Sequence, residues 1–428
     1  MGYTIIGSSA AGLTALEKIR SKDTESDISV ITADNKRPHS RILTSYLIGE
    51  EISEEDIFLR SSDYFSKMQA EIFANEKVTN LKIDKKEVKL DSGKKIDYDK
   101  LLIATGGTPK VPDYEGVNLE GVFTLRDYND VKAIKNYLNE DIEHCFLFGG
   151  GLVGMKAAEA FHNLGKKITI IIRSPQVLSQ MLDEKSAKIV ENYLKEKGIN
   201  ILKGESPKKI KGENSVKGVE LESGKELEGD LVIIGKGVSP NTDFISDQIE
   251  LNKYGGIVVN QKMETNVPDI YAAGDVVSAP DFLSEEKTSY AIWPDAVWQA
   301  KVAAKNMVGN TSNYEGGLNL NALKVIDLLF FAIGKVQLNE KEKEKYDIYQ
   351  KYEVENNVYR KIVFSNERIV GVITIGESSD IGALYHLIKK KTPIKNKAEK
   401  IVEHGVNYAE LVKDKYLLRE IRQEVPFW

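Results

Sequence analysis

The chain has 428 residues, 65 acidic and 59 basic side chains and a formal net charge of −6 at pH 7, with 41% apolar and 29% charged residues. At roughly 150 residues per domain this length suggests about three domains; the composition excludes intrinsic disorder as the main state, and the acidic balance disfavours nucleic acid and anionic membranes as partners. The single cysteine, Cys145, permits no intrachain disulfide and no redox dithiol, and the five histidines never fall into metal-ligand spacing, so no metal site is expected.

The chain opens on a strand and a glycine turn rather than a secretory leader. It has no apolar run long enough to cross a bilayer, so a soluble, cytoplasmic protein is expected. Residues 3–6 form the first strand. Gly7-Ser8-Ser9-Ala10-Ala11-Gly12 follows, then a helical pattern over 13–21 and a strand over 28–32. Residues 86–90 and 94–98 read as a hairpin around Ser92-Gly93, and 101–104 as a buried strand ending in Thr105-Gly106-Gly107. The opening order then recurs: a strand at 145–148, Gly149-Gly150-Gly151-Leu152-Val153-Gly154, a helix over 155–164 and a strand at 168–172. Strands are expected at 216–222, 231–234 and 256–259, and a helix from about Pro294 to Met307. From Leu318 the pattern changes to antiparallel strands at 347–355, 358–365 and 369–375 followed by helices, an α+β domain.

A glycine turn between strand and helix lets backbone approach a pyrophosphate at the positive end of a helix dipole. One such string is a weak signal, since glycine turns also cap ordinary helices; two in the correct strand-to-helix context are stronger. Ser9 occupies the middle glycine position of the first copy, where a small hydroxyl leaves the approach open. Asp34, after the second strand, is the candidate for a ribose diol, or else a solvated turn carboxylate. In the second copy the equivalent stretch, Ile171-Ile172-Arg173-Ser174, has no acid, and Arg173 suits a ribose 2′-phosphate. Use of NADPH is therefore compatible with the sequence, and a preference for NADH is not implied.

In combination, GSSAAG (7–12), ATGG (104–107), GGGLVG (149–154), GKGVSPNT (235–242) and DIYAAGD (269–275) resemble the FAD-dependent pyridine nucleotide-disulfide oxidoreductase superfamily over roughly residues 1–310. The resemblance implies an α/β fold with two Rossmann-like, glutathione-reductase-like dinucleotide-binding domains. A discontinuous FAD domain would span 1–108 and 240–317, an NAD(P)H domain 109–239 and a C-terminal α+β interface or partner domain 318–428. It implies FAD contacts from Gly7, Ser9, Ala10, Ala11, Gly12, Val78, Ala104, Thr105, Gly106 and Gly274, with Asp275 holding the ribityl chain. Gly149, Gly151, Leu152, Val153, Gly154, Arg173 and Gly237 would hold the nicotinamide nucleotide.

The sequence departs from the family at its thiols. The region that carries a redox cysteine in disulfide reductases, peroxidases and oxidases reads Pro38-His39-Ser40-Arg41-Ile42-Leu43-Thr44-Ser45, and Ala10 replaces a peroxidase-type histidine. Cys145 lies on an apolar strand, where a buried structural thiol is expected. Ser40-Arg41-Ile42-Leu43 and Ile292-Trp293-Pro294-Asp295-Ala296 instead resemble the branch of NAD(P)H-rubredoxin reductases and the flavin module of assimilatory nitrite reductases. By that resemblance Arg41 pairs with the FAD pyrophosphate and the helix start at Trp293-Pro294 faces the flavin. Trp293 and Trp298 are alternatively core residues. Glu159 is the catalytic candidate, orienting the nicotinamide carboxamide, or an exposed helix residue; Asn241 closes the interface of the two nucleotide domains, or only makes a turn.

The implied activity is transfer of electrons from NAD(P)H through FAD, without a redox cysteine, to a carrier such as rubredoxin, ferredoxin or an iron–sulfur subunit. The alternatives are an NAD(P)H oxidase reducing oxygen, a flavin-bearing interaction protein switched by reduction, and a quinone reductase at a membrane surface, against which the mixed charges of 413–424 argue. A homodimer or a place in a larger complex is compatible with this reading, and Pro426-Phe427-Trp428 is either a partner anchor or a tail packed on the body.

Overall fold

The computed structural model describes residues 2–245 and 247–407. In chain order its main elements are β1 (Gly2–Ile6), α1 (Ala10–Arg20), β2 (Asp27–Thr32), β3 (Glu71–Ala74), β4 (Lys100–Ile103), β5 (Val122–Phe123), α2 (Tyr128–Tyr137), β6 (His144–Phe148), α3 (Leu152–Asn163), β7 (Lys167–Ile172), α4 (Glu184–Glu196), β8 (Asn200–Lys203), β9 (Leu231–Ile234), β10 (Ile270–Ala272), α5 (Trp293–Met307), β11 (Leu320–Val325), β12 (Leu328–Gly334), β13 (Asp347–Glu353), β14 (Val358–Ser365), β15 (Arg368–Ile375), α6 (Ile381–Lys389) and α7 (Ala398–His404). The chain divides into two compact units. The first holds residues 1–175 and 195–318, the second 176–194 and 319–428.

The first unit contains two parallel five-stranded sheets, ordered β10-β4-β1-β2-β3 and β8-β7-β6-β9-β5. Their strands are nearly continuous apolar runs, as strands buried on both faces must be. Ile5, Leu101, Leu102, Phe146, Phe148 and Ile170 have no more than 0% exposure. In each sheet the chain adds strands to one side of the first strand (β2 beside β1, β7 beside β6) and later returns to its other side (β4, β9), and that switch of direction opens a crevice at the strand's carboxyl end. The two expected βαβ units are present. Each helix starts three residues before its expected position, because the last residues of the glycine turn already belong to it: α1 begins at Ala10 and α3 at Leu152, with Ser9 and Gly151 as N-caps. The hairpin at Glu87–Leu90 and Lys95–Asp97 gains a third strand, Val78–Lys82.

The second unit is an antiparallel sheet, β11-β12-β15-β14-β13. The hairpin β11–β12 has no counterpart among the expected elements. Its turn carries no Asn-Gly or Asp-Gly signal; a β-branched residue, Ile326, adopts φ 58° there. The interior strand β14 is buried along Val358–Phe364 despite Arg360 and Lys361. Arg360 makes two bonds to Asp380, at 2.6 and 2.9 Å, while Lys361 reaches Asp183 at 3.0 Å and the Val336 carbonyl at 3.0 Å. The aromatic C-terminus and the charged 413–424 segment lie outside the described residues. Among the described residues no helix is long and apolar enough to cross a membrane.

Candidate functional site: two glycine turns and a dinucleotide-sized cleft

The first turn is shaped by backbone packing. Gly7 has φ 111°, and a Cβ there would lie 2.1 Å from the Ala104 carbonyl oxygen at the end of β4; a Cβ on Gly12 would lie 1.8 Å from the Gly7 oxygen. The Ser8 hydroxyl bonds Thr32 Oγ1 at 2.9 Å and ties the turn to β2. The second turn repeats the arrangement: Gly149 has φ 132° with its Cβ position 2.2 Å from the Gly235 oxygen, and that of Gly154 falls 2.0 Å from the Gly149 oxygen. At Gly151 nothing lies within 4 Å of a built Cβ. Neither α1 nor α3 has a side-chain cap, whereas α2 carries a full capping box from Asp127 and Asp130. The first-turn N–H groups of α1 and α3 thus have no capping side chain.

A cavity of about 890 Å³ opens at the first turn. It is lined by Gly7, Ser9, Ala10 and Ala11 of the turn and α1, by Asp34 and Val78, by Arg41, Ala104, Thr105 and Gly106, and by Gly274, Asp275 and Trp293. Gly12 packs behind the turn instead, and Pro294 is exposed and is not part of the wall. Trp293 is half-buried at the wall, and Trp298 packs against the core. Opposite charges pair at the lining: Arg41 reaches Asp34 at 2.8 Å and Asp127 at 3.9 Å, and Arg126 donates to Asp275 at 2.8 Å. Arg126 and Asp127 were not singled out from sequence. Their one signal is the capping box: Asp127 is the N-cap of α2, and Arg126 immediately precedes it.

Asn241 does more than turn the chain. Its side chain donates to the Thr105 carbonyl at 3.0 Å and accepts from the Thr108 hydroxyl at 2.7 Å, stitching together the paired connections Gly107–Pro109 and Val238–Pro240. Around the second turn Val153 and Gly237 are exposed, and Arg173 is exposed after β7. Burial, and then the nearby Arg173 charge, push the Lys236 pKa down, which puts two cations in one neighbourhood. Glu159 is 4% exposed and ion-paired with Lys156, whose ammonium sits 4.0 Å from the centre of the Tyr46 ring; the exposed-helix alternative is therefore wrong. Cys145 is fully buried, and burial pushes its thiol up to about 12.

The residues fit FAD in the first site. The cleft volume lies in the upper part of the ligand-site range of roughly 300–1,000 Å³, the turn that lines it is made of residues no larger than serine, and an uncapped helix start meets it.

The family model for pyridine nucleotide-disulphide oxidoreductases matches residues 1–300, and that for the rubredoxin NAD+ reductase C-terminal domain matches residues 320–392. The chain is 30% identical over 394 residues to the nitrite reductase NAD(P)H of Bacillus subtilis (strain 168), covering 91% of this chain and 47% of that protein. It is 34% identical over 337 residues to an NADH oxidase of Methanocaldococcus jannaschii, covering 77% and 75%. The crystal structure of NADH:rubredoxin oxidoreductase from Clostridium acetobutylicum superposes with a TM-score of 0.76 at 25% identity, covering 93% of this chain and 98% of that one. The chain spans about half the length of two of its curated relatives, that nitrite reductase and an assimilatory nitrate reductase electron transfer subunit of the same organism.

Proposed function

The chain belongs to the pyridine nucleotide-disulphide oxidoreductase family, whose members use FAD and NAD(P)H, and from that premise we propose that it passes electrons from NAD(P)H through FAD to a protein electron carrier with no thiol relay. The observation that carries this reading is the cysteine-free wall of the cleft. Arg41 and Ile42 line it, Ile42 is 54% exposed, and the only thiol in the chain is buried on β6. FAD, when bound, supplies both two-electron acceptance and one-electron release.

The protein's part is to bind and orient. The Gly7–Gly12 turn and the start of α1 take the pyrophosphate, with Arg41 and Arg126 as flanking cations. Asp34 takes the adenosine ribose and Asp275 the ribityl hydroxyls. The Gly149–Gly154 turn takes the nicotinamide nucleotide, and Glu159 orients its carboxamide. Arg173 and Lys236 favour a 2′-phosphate, so NADPH is used at least as well as NADH. In this reading residues 1–108 and 240–317 form the FAD domain, 109–239 the NAD(P)H domain and 318–428 the partner domain. Rubredoxin, ferredoxin or an iron–sulfur subunit is the acceptor class, a choice supported by the C-terminal match to rubredoxin reductases.

The test is anaerobic stopped-flow reduction by NADH and by NADPH, followed by mixing with oxidised rubredoxin or ferredoxin, or with air. Fast reduction and carrier-dependent reoxidation are expected. The oxidase relative favours a second reading, in which air alone reoxidises the protein at the turnover rate; that outcome would replace the carrier reading.

A further inference from the structure

If, as proposed above, Asp34 takes the adenosine ribose and Asp275 the ribityl hydroxyls, the part of the cleft wall formed by Gly274, Asp275, Trp293 and Ala296 is the part that would meet the flavin ring. What stands behind that wall is polar. On α5, Asp295 and Gln299 are one turn apart on the same face, 2% and 3% exposed, and Tyr314 beside them is 3% exposed. Gln299 Oε1 accepts the Gly274 N–H at 2.8 Å, which fixes a turn residue at φ 89° whose Cβ position would lie 3.3 Å from the Ala11 Cβ and 3.7 Å from the Ala296 Cβ. A Cβ on Gly317 would lie 2.6 Å from Asp295 Oδ2, so the backbone closes directly over the carboxylate. Burial, and next the Asp295 charge, raise the Tyr314 hydroxyl well above the ordinary tyrosine range. Tyr290 donates to Asp281 at 2.6 Å and is raised by burial, by Asp281 and also by Asp295.

We propose that Asp295 and Gln299 are positioning residues for the flavin: Gln299 holds the Gly274–Asp275 turn in its cofactor-binding form, and the buried Asp295 carboxylate, one residue before the wall residue Ala296, holds down the redox potential of the bound flavin. The physical basis is that the Asp295 carboxylate, in its ionised form, opposes the added electrons across a low-dielectric interior and partly cancels the dipole of the helix whose first turn it occupies. A buried amide N–H that loses its acceptor is left with an unmet hydrogen bond. The inference rests on FAD occupying this cleft.

The test uses the holoprotein. The midpoint potential of the flavin is measured anaerobically by dye equilibration, and FAD affinity by fluorescence titration of protein stripped and reloaded. Asp295→Asn and Asp295→Ser are expected to move the potential in the positive direction with FAD affinity within about threefold of the unaltered protein. Gln299→Leu is expected to weaken FAD binding about tenfold, and Gln299→Glu, which keeps an acceptor oxygen, to restore it. Unmoved potentials in both Asp295 variants, or full FAD affinity in Gln299→Leu, would overturn the inference while leaving the functional reading intact. An unaltered protein that acquires no flavin spectrum on incubation with FAD would overturn both.

Discussion

At the residue scale, the glycines of the two turns separate packing from binding. A methyl group on Gly12 has to displace the Gly7 carbonyl, 1.8 Å away, whereas one on Gly151 enters open space. Gly12→Ala should therefore cost about 1–3 kcal/mol of stability and lose FAD, while Gly151→Ala should leave stability within about 0.5 kcal/mol and raise the KM for NAD(P)H. Thermal unfolding read beside nucleotide kinetics distinguishes the two. His39 is a second residue-scale case. It is 5% exposed, and its Nε2 accepts from the Tyr128 N–H at 3.2 Å, beside the cleft residues Arg126 and Asp127. Burial lowers its pKa from 6.5, against the raising influence of Asp34. The unfolded chain therefore takes up a proton that the folded chain resists. The His39 contribution to stability is complete above about pH 6.5 and is lost as the pH falls below that value through the folded pKa. The melting temperature should fall between pH 7.5 and 5, and less steeply in His39→Gln, which does not titrate.

At the element scale, strand β14 shows how charged residues enter a core. Burial alone would raise the Asp183 carboxyl, but bonds from Tyr359 (2.6 Å) and Ser186 (2.7 Å) and the charge of Lys361 more than offset it and hold the pKa below the usual range. Lys361 has only 6% of its side chain exposed, so Asp183→Ala strands a buried ammonium; a cost of about 3 kcal/mol is expected. Hydrogen exchange along Val358–Ser365 should report it as loss of protection, while the β1 amides stay protected. The segment Gln176–Leu194, which carries most of α4, groups with the second unit even though sequence order sets it inside the middle domain. Only long-range pairing reveals that, since the apolar spacing of Ala187, Val190 and Leu194 announces an amphipathic helix without saying which sheet it covers.

At the scale of the whole molecule, FAD should stabilise by mass action the unit that binds it, by about 2.7 kcal/mol at a hundredfold excess over Kd. Deuterium exchange should slow with added FAD in β1 and β4 and stay unchanged in β12; slowing in β12 alone would place the flavin elsewhere. Much of this architecture is legible in the residues themselves. A strand, a glycine at its end and a second glycine five residues on are local features. The backbone conformations at Gly7 and Gly149, and the close approaches at Gly12 and Gly154, exclude nearly every other side chain. The two glycine turns, the parallel strands and the absence of a thiol in the cleft were therefore determined by sequence alone. Tertiary structure alone decided the partners of the charges: Arg126 on Asp275, Arg41 between Asp34 and Asp127, Glu159 buried with Lys156, and Gln299 on Gly274. The physical reason is range. Turn geometry and strand pattern depend on neighbours a few residues away, whereas an ion pair such as Arg126–Asp275 joins residues 149 apart, and only the packed sheets bring them together.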